Sequence, residues 1–198
     1  MIRKIVLATN NKHKLEEFNA MFASYNVEVI SLKDAGIVCD PEENGKTFKD
    51  NALIKAKEVS NFTKYPVISD DSGLVIKSLN GFPGVYSARF MEGHSYDEKR
   101  LEIVKKLSNF EDKSACFETV LCLYGLEKEP LFFNGRVDGN IVLPSGNSGF
   151  AYDPIFYCNE LCKTFGEAVP EEKNKVSHRS RALKKLIKYL IDNKYIEE

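Results

Sequence analysis

The sequence predicts an α/β fold built on a mixed β-sheet. Three features point that way. Short apolar runs alternate with amphipathic helical stretches early in the chain, the middle reads as hairpin-like strands, and the chain closes on an amphipathic helix. A doubly wound parallel sheet would not contain the hairpin-like middle. The chain has 198 residues, 43% of them hydrophobic and 29% charged. One domain spanning residues 1–198 is the expectation, and a chain of this size buries roughly 70% of its unfolded surface.

Ile5 to Ala8 reads as a buried strand and Thr9 to His13 as a polar turn. A helix follows, with Leu15, Phe18 and Phe22 on one face. Val27 to Leu32 reads as a second strand and Asp34 to Gly45 as an acidic loop. Thr47 opens the next helix as an N-cap, with Asp50 completing a capping box and Phe48, Ala52, Ala56 and Val59 supplying an apolar stripe. Val67 to Ser69 is expected as a short strand entering Asp70-Asp71-Ser72-Gly73, after which Leu74 to Ile76 resume an apolar run. Ser95 with Glu98 caps a third helix, whose Leu101, Val104 and Leu107 are expected to face inward. Ala115 to Tyr124 and Leu131 to Phe133 read as strands, and Asp138-Gly139 suggests a tight turn between Arg136-Val137 and Ile141 to Leu143. The closing helix carries Leu183, Leu186, Ile187 and Leu190.

Lys and Arg total 28 and Asp and Glu 29, a formal net charge of -1. A protein whose main partner is a nucleic-acid backbone usually carries a basic excess, so an RNA-binding role is disfavoured. A local basic pocket for a small anion remains compatible with the balance. The five cysteines form no Cys-x-x-Cys, and no histidine lies at zinc spacing from Cys158 and Cys162. They read as reduced thiols packed as small apolar residues. The apolar run after Arg3 and Lys4 is too short for a signal segment. No stretch approaches the roughly 20 apolar residues of a membrane span. A soluble, cytoplasmic protein is expected.

The sequence contains no P-loop, no Gly-x-Gly-x-x-Gly fingerprint and no Gly-x-Ser-x-Gly elbow. Polar clusters near predicted element ends are the functional candidates instead. Thr9-Asn10-Asn11-Lys12-His13-Lys14 places bases where a helix dipole favours anions, as a phosphate site or as a solvated N-cap. Asp70 and Asp71 follow a buried strand, where neighbouring side chains point to opposite faces. Two such acids suit a hard cation such as magnesium, but the tetrapeptide by itself reads first as an Asx-turn. Glu42-Glu43 offers a further metal ligand or a solvated loop. Lys55 lies close to the apolar stripe of its helix and needs either an anionic partner or a route to solvent. Gly149-Phe150-Ala151-Tyr152-Asp153-Pro154 could stack a base, with Asp153 fixing orientation, or close the core as an aromatic strand edge. Ser177 reads as an N-cap. His178 and Arg179 follow in a first turn where positive charge is unfavourable without an anion, and Lys173 lies five residues before His178.

Taken in order, these clusters resemble those of the inosine triphosphate pyrophosphatase (Ham1-like, dITP/XTP pyrophosphatase) family, nearly end to end. The resemblance runs through Thr9-x-Asn11-x-x-Lys14, Glu43-x-Gly45-x-Thr47-Phe48, Asn51-Ala52 with Lys55, and Ser69 to Leu74. It continues through Gly81 to Arg89, Gly149 to Pro154, and Lys173 with Ser177-His178-Arg179. It implies an elongated α/β fold of two lobes around a mixed, twisted sheet, with a cleft between the lobes, assembled as a homodimer. The implied activity is magnesium-dependent cleavage of ITP, dITP and XTP between the α and β phosphates, with manganese as an alternative metal. By matching position, Thr9, Asn10, Asn11, Lys12, His13, Lys14, Lys55, Ser72, Phe150, Ala151, Tyr152, Asp153, Lys173, His178 and Arg179 bind substrate. Glu43 and Asp71 hold the metal, Asp70 supports that site, and Asp71 is the general base. Ala151 stands where the family usually has glycine, Asp50 where it often has glutamate and Phe90 where tyrosine is common.

The chemistry suits the resemblance. A triphosphate carries about four negative charges, which resist attack by water until cations neutralise them. A module that senses nucleotide without turnover would need the cations more than the carboxylates.

Overall fold

The computed structural model describes residues 1–197. The strands are β1 (Lys4–Leu7), β2 (Glu28–Ser31), β3 (Val67–Ile76), β4 (Ser114–Tyr124), β5 (Leu131–Ile141), β6 (Phe156–Cys158) and β7 (Lys163–Thr164). The helices are α1 (Lys12–Phe22), α2 (Phe48–Ser60), α3 (Tyr96–Lys106), α4 (Pro170–Val176) and α5 (His178–Asp192). The strands form one sheet in the order β2-β1-β3-β4-β5-β6-β7. β1 runs parallel to β2, with Lys4 opposite Glu28, and parallel to β3, with Val6 opposite Val67. β6 is antiparallel to both β5 and β7. The sheet is therefore mixed, as the broken alternation of the sequence predicts.

The chain divides into two compact units. The first comprises Met1–Asp71, Thr119–Gly135 and the residues from Ser180 onward; the second comprises Ser72–Glu118 and Arg136–Arg179. In the first unit Phe18 and Phe22 of α1 pack with Ile5, Leu7, Leu121 and the apolar face of α5, Leu183, Leu186, Ile187 and Leu190. Ala52, Ala56 and Val59 of α2 pack in a separate cluster with Val6, Ile30 and Val67. The second unit has its own core of Leu74, Ile76, Ile103, Phe117, Val137, Phe156 and Phe165.

Local signals were obeyed at the helix starts. Thr47 accepts from the Asp50 amide and Asp50 answers at the Thr47 amide; Ser95 and Glu98 form the same box. Three expectations are corrected by long-range structure. β3 runs unbroken through Asp70-Asp71-Ser72-Gly73, without a turn. β5 likewise passes straight through Asp138-Gly139. Gly139 serves close approach there, since a Cβ would overlap the Tyr157 carbonyl and the Phe156 ring of the neighbouring strand. Leu101 of α3 is 59% exposed, whereas Leu107 is buried as expected and Ile103 shares that face with it. No helix among the described residues is long and apolar enough to cross a membrane.

Candidate active site

In the first unit the functional side chains gather where β3 passes α1 and α2. Extended backbone sends Asp70 and Asp71 to different partners. The Asp70 carboxylate takes the Lys14 ammonium and the Thr119 hydroxyl, the latter at 2.9 Å. Asp71 Oδ1 takes Lys55 Nζ at 3.3 Å, and the same ammonium lies 2.7 Å from Glu43 Oε1. Lys55 also donates to the Asp70 carbonyl at 2.8 Å, and Thr119 to the Asp71 carbonyl at 3.2 Å. Three carboxylates thus face two ammonium groups. Burial pushes the Asp71 carboxyl above its ordinary value against the pull of Lys55, and Glu43 adds to the rise. Burial opposes the charge on Lys55 too, but Asp71 and Glu43 outweigh it and hold the ammonium above its ordinary value. The partners respond differently because Lys55 answers to several carboxylates, whereas Asp71 shares that ammonium with Glu43.

The start of α1 is capped from within: Asn11 Oδ1 accepts from the His13 and Lys14 amides, and Thr9 Oγ1 from the Asn11 amide. Its first turn carries Lys12, His13 and Lys14 and no acid. Asn10, Lys12 and His13 are exposed.

The second unit gathers the other set. Arg179 is 1% exposed and donates to Ser72 Oγ at 3.0 Å. The His178 ring stacks on Phe117 at 5.0 Å between centroids. Lys173 Nζ pairs with Asp153 Oδ2 at 2.8 Å and lies 4.8 Å from the Phe150 ring centroid. Asp153 also accepts from the Phe150 amide at 2.8 Å, which fixes the loop that presents the half-buried Phe150. Tyr152 is buried in the core and donates to the Ser87 carbonyl at 2.7 Å. Ala151 adopts φ 52°, a left-handed conformation that glycine would take without a Cβ penalty.

Lys14, Lys55 and Lys173, expected from the resemblance to bind substrate, are each held by a carboxylate. Thr119 and Asn51, not among the expected site residues, lie here too, on Asp70 and on the Gly45 amide. Thr119 is a buried hydroxyl beside Glu118 in a largely apolar run, and Asn51 a buried amide on the apolar stripe of α2. In both cases a polar residue in an apolar pattern was the available signal.

The model of the Ham1 family matches residues 5–189. The chain belongs to the Ham1 family. It is 45% identical over 199 residues to a protein of Thermoanaerobacter sp. (strain X514) named dITP/XTP pyrophosphatase, covering 98% of this chain and 99% of that one. A protein of the same name from Wigglesworthia glossinidia brevipalpis is also 45% identical, over 98% of this chain and 100% of its own. The structure of the Staphylococcus aureus Ham1 protein superposes with a TM-score of 0.87 at 37% identity, covering 96% of this chain and 99% of that one. A HAM1 protein from Coxiella burnetii gives 0.88 at 37% identity, over 97% and 100%.

The residues of the first unit fit magnesium, the metal that the family resemblance implies. Glu43 and Asp71 converge on a single cation, Lys55, and Asp71 Oδ2 is buried with no hydrogen-bond partner among the described residues. Among those residues no group of three or more His, Cys, Asp or Glu could hold a metal ion unaided. Two carboxylates completed by water and phosphate oxygens are what magnesium commonly takes. Asp70 is engaged by Lys14 and Thr119 instead.

Proposed function

We propose that this Ham1-family chain is a hydrolase that converts ITP, dITP and XTP to the nucleoside monophosphate and pyrophosphate. The observation that carries the reading is the Glu43–Lys55–Asp71 arrangement with its unpartnered Asp71 oxygen. It occurs in a chain closely similar, over nearly its whole length, to proteins named dITP/XTP pyrophosphatase.

Asp71 acts as general base, taking a proton from the water that attacks the α-phosphorus. Magnesium, or manganese, held by Glu43 and Asp71 would neutralise phosphate charge and make a water more acidic. Asp70 positions Lys14, and the basic first turn of α1 offers positive charge to the triphosphate. In the second unit Phe150 is assigned to stacking on the purine, with Lys173, Ser72, His178 and Arg179 as polar contacts. A donor from His178 or Arg179 would satisfy the 6-oxo group of hypoxanthine or xanthine and leave the 6-amino group of adenine unpaired. Sites built this way can penalise the mismatch by 10⁴ or so. We extend the proposal to assembly as a homodimer and to a place in the cytoplasm, both carried by the family resemblance alone.

The test is a hydrolysis panel of ITP, dITP, XTP, GTP and ATP with product identification, run with magnesium and with excess EDTA. ITP and XTP should turn over far faster than ATP and GTP, release pyrophosphate, and do so only with metal. Comparable rates on ATP would overturn the specificity, orthophosphate the reaction type, and full activity in EDTA the metal role.

A further inference from the structure

α2 presents Asn51 and Lys55 one turn apart on one buried face. Lys55 goes to Glu43 and Asp71. Asn51 is fully buried, and its Oδ1 accepts from the Gly45 amide at 2.8 Å. Helix capping does not need this side chain, because Thr47 and Asp50 already form the capping box. Core packing does not need it either: an apolar residue would continue the stripe of Ala52, Ala56 and Val59.

What remains is its amide nitrogen. Asn51 Nδ2 and Asp71 Oδ2 are both buried without a hydrogen-bond partner among the described residues, one a donor and the other an acceptor. Lys55, one turn along the same buried face of α2, reaches Asp71 Oδ1 at 3.3 Å, which brings that face against the Asp71 carboxylate. The loop packs tightly on the other end of Asn51. A Cβ at Gly45 would fall 2.6 Å from Asn51 Oδ1, and Glu43 is two residues upstream.

We propose that Asn51 is a positioning residue that sets Glu43 and Asp71 toward one divalent cation, through its Oδ1 on the Glu43 loop and its Nδ2 facing Asp71. The inference rests on the metal role proposed above. Outer partners of metal ligands act by holding the ligands' orientation before the metal arrives.

The test measures Mn²⁺ affinity by electron paramagnetic resonance without nucleotide, together with kcat and KM for ITP, on wild type, Asn51→Leu and Gly45→Ala. Asn51→Leu keeps the branched arrangement of side-chain heavy atoms, with bulkier methyl ends, and removes both polar groups. Gly45→Ala keeps the Asn51 amide but forces its Oδ1 and the Gly45 loop apart, so it decides the matter if the first variant does not fold. Each should bind Mn²⁺ about 10–100-fold more weakly and lose kcat to a similar degree, with KM changing much less. A folded variant with wild-type Mn²⁺ affinity, or a loss confined to KM, would overturn the proposal. Wild-type protein that takes up no Mn²⁺ would overturn the metal reading and this inference with it. Wild-type protein that binds Mn²⁺ but releases no pyrophosphate would count against the reaction alone, and the affinities would still decide Asn51.

Discussion

At Asp70 and Asp71 the alternation of an extended strand gives consecutive carboxylates different chemistry. Both oxygens of Asp70 are engaged, by Lys14 and Thr119, whereas Asp71 keeps one buried oxygen unpartnered and a raised pKa. Asp71→Asn tests the difference, since it keeps size and hydrogen-bonding capacity but cannot accept a proton. General-base contributions run to about 10²–10⁴ in rate, and weakened metal binding adds to the loss, so kcat should fall by at least that range. Nucleotide Kd should change much less, and the melting temperature should hold because β3 stays extended. A variant with near-wild-type kcat would remove Asp71 from the mechanism. The site's acids and bases were visible in the sequence as residue types out of place, such as bases in a first helical turn. Their pairing was not visible. Lys55 needed a partner, but nothing local says that the partner is two carboxylates, 12 and 16 residues away along the chain.

Helices α2 and α3 begin where their capping residues dictate, because a capping box is satisfied within four residues of chain. Thr47→Ala should therefore destabilise the protein by about 1 kcal/mol, read from denaturant midpoints at constant m-value. The second box gives a pH-dependent counterpart. Hydrogen bonds from the Ser95 amide and hydroxyl hold the Glu98 carboxyl below its ordinary 4.5. A depressed folded-state pKa means stability that is present above the ordinary value and lost as pH falls through the folded one. The gap in melting temperature between wild type and Glu98→Gln should accordingly be widest near pH 7 and narrow below pH 4.5; a gap independent of pH would refute the charge contribution. Strand continuity was less legible than helix starts for the same physical reason. Asp70-Asp71-Ser72-Gly73 has turn composition, yet Lys14, Lys55 and Thr119 satisfy its polar groups and let β3 continue. Asp138-Gly139 has hairpin-turn composition, and only the neighbouring strand at Phe156 and Tyr157 explains its glycine. Leu101 follows the same logic: the helical period was right, but the buried face depends on what packs against it.

The order of segments ties the whole molecule together, because neither compact unit is one continuous stretch of chain. The first unit is completed only when the residues from Ser180 onward return to it. They bring Leu183, Leu186, Ile187 and Leu190 into the same cluster as Ile5, Leu7, Phe18, Phe22 and Leu121. Burying four such side chains contributes about 6–12 kcal/mol as an upper estimate. The net stability of a whole protein is only about 5–15 kcal/mol, so this unit should not hold without α5. A chain ending at Ser177 should show no cooperative thermal transition for the first unit, and should bind Mn²⁺ no better than an unfolded control. Its second unit retains the apolar cluster around Leu74, Phe117, Val137, Phe156 and Phe165, although it loses the His178 ring stacked on Phe117 and the Arg179 bond to Ser72. Loss of fold should therefore fall on amides of β1, β2 and α1, read by hydrogen exchange. Protection of those amides at wild-type levels in the truncated chain would show that the first unit's core closes without its last helix.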